Sequence, residues 1–172
     1  MNINPKTQKI IYGAMMSAII TVATMFIHYP TLKGYIHLGD AFVILAGVLI
    51  GPIYGGIAAG IGSMLADLLL GYAAFAPITF VVKMLAAMLA GWVFKYLKTN
   101  KDIIKLVVGG LLACVDIVLL YFVFEIFYEG FYAALAEILP NIMQTGVGVL
   151  IATVLYPALS AILNLRLNNA KN

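Results

Sequence analysis

Apolar residues run along this chain in long unbroken stretches, not in the strict alternation of a half-buried strand. The stretches are punctuated by proline, glycine and short polar segments, and they read as helices. The first runs from about Gln8 to Tyr29 and stops at Pro30. A polar loop, Thr31 to Gly39, follows. A second helix starts near Asp40 and ends at Gly51-Pro52. At about 12 residues, roughly 18 Å, it is too short to cross a hydrocarbon core alone. Either the preceding loop dips into the membrane or this helix is sunk beneath one face. Further helices are expected over Ile53–Leu70, Pro77–Leu97 and Ile103–Phe127. A polar and aromatic connector, Glu129 to Leu139, comes next. Pro140 is expected to open the last helix, which ends near Leu163.

Composition turns these helices into membrane spans. The 172 residues are 64% hydrophobic and 10% charged, with a mean hydropathy of +1.07. A soluble domain of this size could not cover so much apolar surface with so few charges. Lipid tolerates it when the backbone satisfies its own hydrogen bonds. The expected fold is all-α: a single domain, residues 1–172, of six transmembrane helices in a multi-pass cell-membrane protein. The first apolar run is long enough to be a span, not a cleavable signal. Six spans leave no room for a soluble domain.

The positive charges orient the bundle. With both termini cytoplasmic, Lys6, Lys9, Lys95, Lys98, Lys101, Lys105, Arg166 and Lys171 all lie inside, eight of the ten basic residues. Lys33 falls in an outer loop and Lys83 within a helix. The net charge of +3 is small and scattered, which gives no reason to expect nucleic acid.

A charge within a span costs about 2.5–3.5 kcal/mol on insertion scales, so each needs a reason. The candidates are Asp40, Asp67, Lys83, Asp116 and Glu125, joined by Asn141 and Gln144 on one face of the last helix. On the expected topology all but Asp116 fall in the outer half of the bilayer. That convergence reads as a polar cavity open to the outside, with Lys83 paired to Asp67 or Asp40 at its floor. The alternative is an ion pair that only fixes helix packing. Asp116 either lines the cavity floor or locks its helix to a neighbour. Tyr35, His37, Tyr72, Phe75, Tyr128, Phe131 and Tyr132 are expected around the cavity. Aromatic walls with a few polar groups suit a flat heteroaromatic molecule; the competing reading is an interfacial aromatic belt. Trp92, beside Lys95 and Tyr96, reads as belt.

His28 and His37 have no acidic or thiol partners at ligand spacing, so no metal site is expected. Cys114 sits in an apolar run and reads as an inert thiol. No G-x-x-x-x-G-K-[ST] loop is present, so the chain is not expected to use ATP itself. Ser63 has no histidine at its estimated depth, which argues against an intramembrane serine protease. No catalytic residue and no cofactor are expected.

Small-residue faces are the second signal. Gly56-x-x-x-Gly60 on the third helix, and Ala86, Ala87, Ala90 and Gly91 on the fourth, read as close packing inside the bundle. On the first helix Gly13, Ala14, Ser17, Ala18 and Thr21 form a stripe that could dock another membrane protein.

The block from Gly34-Tyr35-Ile36-His37-Leu38-Gly39-Asp40-Ala41-Phe42, through Gly51-Pro52 and Gly60-Ile61-Gly62-Ser63-Met64-Leu65-Ala66-Asp67-Leu68, to Tyr72 and Ala76-Pro77-Ile78-Thr79-Phe80-Val81-Val82-Lys83 resembles the substrate-binding S components of energy-coupling factor (ECF) vitamin transporters. It is similar to the riboflavin and hydroxymethylpyrimidine-type branch. The resemblance implies a subunit that captures a micronutrient from outside. Its partners would be a transmembrane coupling subunit (T component) and two cytoplasmic ATPases, with membrane lipid around it. A helix 1 stripe of the A-x-x-x-A type, here Ala14 and Ala18, would contact the coupling subunit. Asp40, Asp67, Lys83, Tyr35, His37, Tyr72, Thr79, Asn141 and Gln144 become the candidate substrate-binding residues. The expected substrate is a small aromatic vitamin or precursor, hydroxymethylpyrimidine or vitamin B6 type, with riboflavin second. The rival expectation is a self-sufficient ion-coupled secondary transporter.

Overall fold

Asn4 opens the first helix: its side-chain oxygen accepts the Lys6 backbone N–H at 2.9 Å, and Pro5 occupies the first helical position. Both are standard devices for a helix start. The computed structural model describes residues 4–31 and 35–169. Lys33, Gly34 and Lys171, named above, lie outside the described residues.

The order of elements is α1 (Pro5–Phe26), β1 (His28–Pro30), β2 (Tyr35–His37), α2 (Asp40–Ile50), α3 (Pro52–Leu70), α4 (Ala76–Tyr96), α5 (Asp102–Tyr128) and α6 (Phe131–Asn169). α1 thus ends three residues earlier than the pattern suggested. Its expected last residue, Tyr29, belongs instead to an antiparallel hairpin that pairs His28 with His37, Tyr29 with Ile36 and Pro30 with Tyr35. The expected polar loop is in part this hairpin.

The last helix also differs from expectation. The chain turns at Gly130, with φ +95°, and α6 then runs on through both Pro140 and Pro157. Pro140 does not open the helix, and the connector before it is helical. Membrane helices tolerate such prolines, because neighbouring helices and local adjustments of the backbone re-satisfy the freed carbonyl.

Among the described residues five helices are long and apolar enough to cross a membrane: α1, α3, α4, α5 and α6. The sixth, α2, has 11 residues, a length of roughly 16 Å. It is the hub of the bundle. Ala41, Val43, Ile44, Leu45 and Ala46 are fully buried, and α2 touches every other helix. Its short length is matched by a place among the other helices, where it is packed on all sides. Lipid-facing helices keep exposed leucine, valine and phenylalanine on their outer faces, as Leu150, Val154 and Phe127 do.

Glycine makes this hub possible. A methyl group on Gly47 would collide with the Ala87 carbonyl, one on Gly91 with the Gly47 carbonyl, and one on Gly55 with the Ala46 carbonyl. α2, α3 and α4 therefore meet backbone to backbone, as small-residue interfaces allow. The small residues of α1 split into two sets. Ser17 donates to the Ala58 carbonyl at 2.8 Å, and Thr21 donates to the Gly62 carbonyl at 2.8 Å. These fasten α1 to α3. Ala14 and Ala18 point away and are exposed.

Candidate functional site

Polar side chains reach one end of the bundle by helical spacing. Ser63 and Asp67 lie one turn apart on α3, Tyr121 and Glu125 on α5, and Glu137 and Asn141 on α6, with Gln144 one step further. Residues four apart share a helix face. These faces, with Thr24 of α1, Thr79 of α4, Tyr35 and His37 of the hairpin, and Tyr72 and Phe75 of the α3–α4 turn, enclose a cavity of about 60 Å³. That is room for about four to six water-sized groups. The basic residues Lys95, Lys98, Lys101 and Lys105 lie at the opposite ends of α4 and α5.

The α3–α4 turn depends on Gly71. Its φ of +89° is the left-handed conformation that glycine adopts freely, and its N–H caps the Asp67 carbonyl. The turn then presents Tyr72, whose ring lies 4.7 Å from that of Tyr35. Tyr35 donates its hydroxyl to Asp67 Oδ1 at 2.5 Å. Burial and the adjacent Asp67 push the Tyr35 phenol far above its ordinary range, so it stays a donor. This bond ties the hairpin to α3 across the cavity.

His37 is held neutral. Burial pushes its pKa down to about 4; Asp40 opposes that shift and Lys83 adds to it. Its Nδ1 accepts the Gly39 N–H at 3.0 Å, which a proton on that nitrogen would forbid.

Beneath the cavity lies a buried ion pair. Lys83 Nζ is 2.6 Å from Asp40 Oδ1, and the two side chains are 1% and 0% exposed. Of the two partners the sequence left open for Lys83, the fold supplies Asp40. The other oxygen, Oδ2, accepts from Gln144 Nε2 at 2.8 Å and from Thr145 Oγ1 at 2.9 Å. Lys83 also lies 5.4 Å from the centre of the Tyr121 ring. An ion pair taken out of water persists only when its remaining hydrogen-bonding positions are filled, and Asp40 meets that condition. Gln144 connects the pair to the cavity wall, because its Oε1 accepts the His37 backbone N–H at 3.0 Å. Thr79 and Tyr121 share a hydrogen bond of 2.9 Å on the opposite wall.

Of the candidate residues, Asp67, Tyr35, His37, Tyr72, Thr79, Asn141 and Gln144 line the cavity. Asp40 and Lys83 do not; they stand behind it and face each other. Phe75 joins the wall, whereas Tyr128, Phe131 and Tyr132 are exposed. Asp116 lies off the cavity, and its Oδ2 has no hydrogen-bond partner among the described residues. Ser63 and His37, placed at different depths by the sequence, line the same cavity; the hairpin folds His37 inward. Ser63 Oγ nevertheless has no hydrogen-bond partner among the described residues, and none of them stands as a base against it. Thr24, Tyr121 and Glu137 were not anticipated as site residues. Tyr121 stands four before Glu125 and Glu137 four before Asn141, a spacing that points to both. Thr24 has no such signal.

Several buried atoms of this cavity are unpartnered among the described residues: Thr24 Oγ1, Ser63 Oγ, Asp67 Oδ2 and Glu125 Oε2. Such groups are costly to bury unless something fills the space between them.

Comparison with known proteins agrees with this geometry. Residues 4–161 match the family model described as ECF-type riboflavin transporter, S component. A protein of Pyrococcus woesei described as an "uncharacterized protein in gap 3'region" is 34% identical over 134 residues, covering 77% of this chain and 88% of that one. A solved structure titled "Structure and mechanism of the S component of a bacterial ECF transporter" superposes with a TM-score of 0.73 at 21% identity, covering 92% of this chain and 98% of that one. At that identity it speaks for the fold. A buried polar cavity at one end of a multi-pass helical bundle is thus found on a chain that belongs to the S component family of ECF-type transporters, membrane-embedded substrate-binding subunits.

Proposed function

We propose that this chain is the high-affinity capture subunit of an ATP-driven importer for a small aromatic vitamin or precursor. A hydroxymethylpyrimidine or a vitamin B6 form comes first and riboflavin second. The observation that carries this reading is the cavity itself: buried, polar, walled by Tyr35, Tyr72, Phe75 and Tyr121, and lined by unpartnered oxygens. Aromatic walls with a few convergent polar groups suit a flat ring.

The positive-inside rule places the cavity on the outer side and the Lys95–Lys105 region in the cytoplasm. Asp67, Thr79, Asn141, Gln144, Tyr35, His37 and Tyr72 contact substrate. Asp40 and Lys83 act behind them, holding Gln144 in place. A transmembrane coupling subunit and two cytoplasmic ATPases supply the energy. The exposed Ala14 and Ala18, on the face of α1 turned away from α3, form the docking stripe for the coupling subunit.

Mass spectrometry of the small molecule that co-purifies with the chain tests this reading. A bound ring compound of this class supports it. A chain that carries none, and binds none of the three candidates in calorimetry, refutes the substrate assignment.

A further inference from the structure

The cavity atoms that lack a hydrogen-bond partner among the described residues are all oxygens. Asp67 is 4% exposed; its Oδ1 accepts from Tyr35, while its Oδ2 has no donor. Glu125 is 7% exposed, and its Oε2 likewise has none. Two further oxygens, Ser63 Oγ and Thr24 Oγ1, sit on residues 1% exposed and are also without partners. All four residues line the one cavity.

No lysine or arginine is among its described lining residues. Lys83 does not serve: it lies behind the wall, and Asp40 holds it. Among the described residues its unpartnered atoms are two carboxyl oxygens and two hydroxyls, and no lysine or arginine faces them.

We infer that the substrate is a single aromatic ring bearing N–H donors, an exocyclic amino group or a protonated ring nitrogen, and carrying no phosphate or carboxylate. This rests on the capture reading above and narrows it. Asp67 Oδ2 and Glu125 Oε2 accept from those donors. The two hydroxyls adapt by rotation, each able to donate or accept. A phosphate or carboxylate would face Asp67 and Glu125 with no described lysine or arginine lining the cavity to neutralise it, at short range and out of water, where repulsion is strongest. The volume agrees: about four to six water-sized groups correspond to one substituted six-membered ring.

The test is a ligand series on the unaltered chain, purified in lipid nanodiscs and read by calorimetry. The hydroxymethyl aminopyrimidine is compared with three probes: the same ring with oxo in place of amino, its phosphate ester, and riboflavin. The amino compound should bind roughly 10- to 100-fold tighter than the oxo compound, the loss expected when a buried acceptor is left without a donor. The ester should not bind measurably. An oxo compound or an ester that binds as well as the amino compound overturns the donor rule while leaving the capture reading intact. Riboflavin as the tightest ligand overturns the single-ring assignment with the same effect. If neither these four nor pyridoxine binds, the capture reading fails and this inference with it. As a second arm, Asp67→Asn should erase the preference for amino over oxo. A full preference retained in a folded Asp67→Asn chain overturns the role given to Asp67.

Discussion

Lys83 Nζ lies 2.6 Å from Asp40 Oδ1 with both side chains out of contact with solvent, and the pair stands behind the cavity wall, not in it. Removing one partner of such a pair leaves a buried charge alone, at a cost of about 3–5 kcal/mol. Lys83→Met and Asp40→Asn should each lower the unfolding temperature of the purified chain markedly. The double variant should recover much of that loss, because a neutral amide at position 40 still meets Gln144 and Thr145. Thermal unfolding of the two singles and the double, as a double-mutant cycle, checks this. Additive losses would show that the two charges are not coupled.

The Tyr35–Asp67 bond closes the hairpin over the cavity. Hydrogen bonds to charged groups contribute about 1.5–3 kcal/mol. Tyr35→Phe should therefore speed amide hydrogen exchange in the hairpin strands while leaving α2 and α4 protected. Unchanged exchange in those strands would mean the hairpin is held by other contacts.

His37 makes the hairpin sensitive to acid. Its folded pKa, about 4, lies below the ordinary value of 6.5. The unfolded or open state therefore binds the proton more readily. The closed hairpin is fully stable above about pH 6.5 and loses stability as pH falls toward 4, by on the order of 3 kcal/mol in all. Protection factors of the hairpin amides, each referenced to the intrinsic exchange rate at that pH, should fall between pH 7 and pH 4, and His37→Gln should flatten that fall. A fall of the same size in His37→Gln would assign the effect to another group.

Glycines with similar sequence surroundings should differ sharply in tolerance. Gly47→Ala forces a methyl group into the Ala87 backbone and should cost about 1–3 kcal/mol or prevent accumulation of the protein. Gly146 has open space where its side chain would be, and Gly146→Ala should leave yield and unfolding temperature unchanged or slightly raised. Comparison of the two variants by size-exclusion profile and thermal unfolding decides the matter.

Ala14→Leu or Ala18→Leu adds bulk on the outward face of α1. Ligand binding by the isolated chain should stay within about twofold, since neither residue touches the cavity, while uptake by the whole transporter should be lost. Lost binding with an intact fold would show that the stripe serves the cavity and not a partner.

Much of this was legible in the sequence because membrane insertion penalises every exception. Asp67, Lys83, Glu125 and Gln144 stand out in apolar helices, and their convergence at one end follows from helix direction alone. The shortness of α2 set it apart from the five spans in the sequence itself. Three kinds of feature were hidden. The hairpin was hidden because a strand of three residues has no periodicity to read. The continuity of α6 was hidden because Pro140 breaks a soluble helix but not one buffered by lipid and neighbours. The retreat of Asp40 and Lys83 behind the wall was hidden because sequence gives the depth of a charge, not the side of the helix its partner occupies. The one-turn repeat, Ser63 to Asp67 and Tyr121 to Glu125, carried more about the cavity than the charges taken singly.

On the proposed function, this chain captures its substrate alone and depends on partners to move it. The direct measurement places the purified chain in proteoliposomes and follows, on the same sample, both equilibrium binding and time-dependent uptake of the labelled hydroxymethyl aminopyrimidine, with and without a proton or sodium gradient. The expected result is saturable one-to-one binding and no accumulation under any gradient. Gradient-driven accumulation by the chain alone would contradict it and establish an ion-coupled secondary transporter instead.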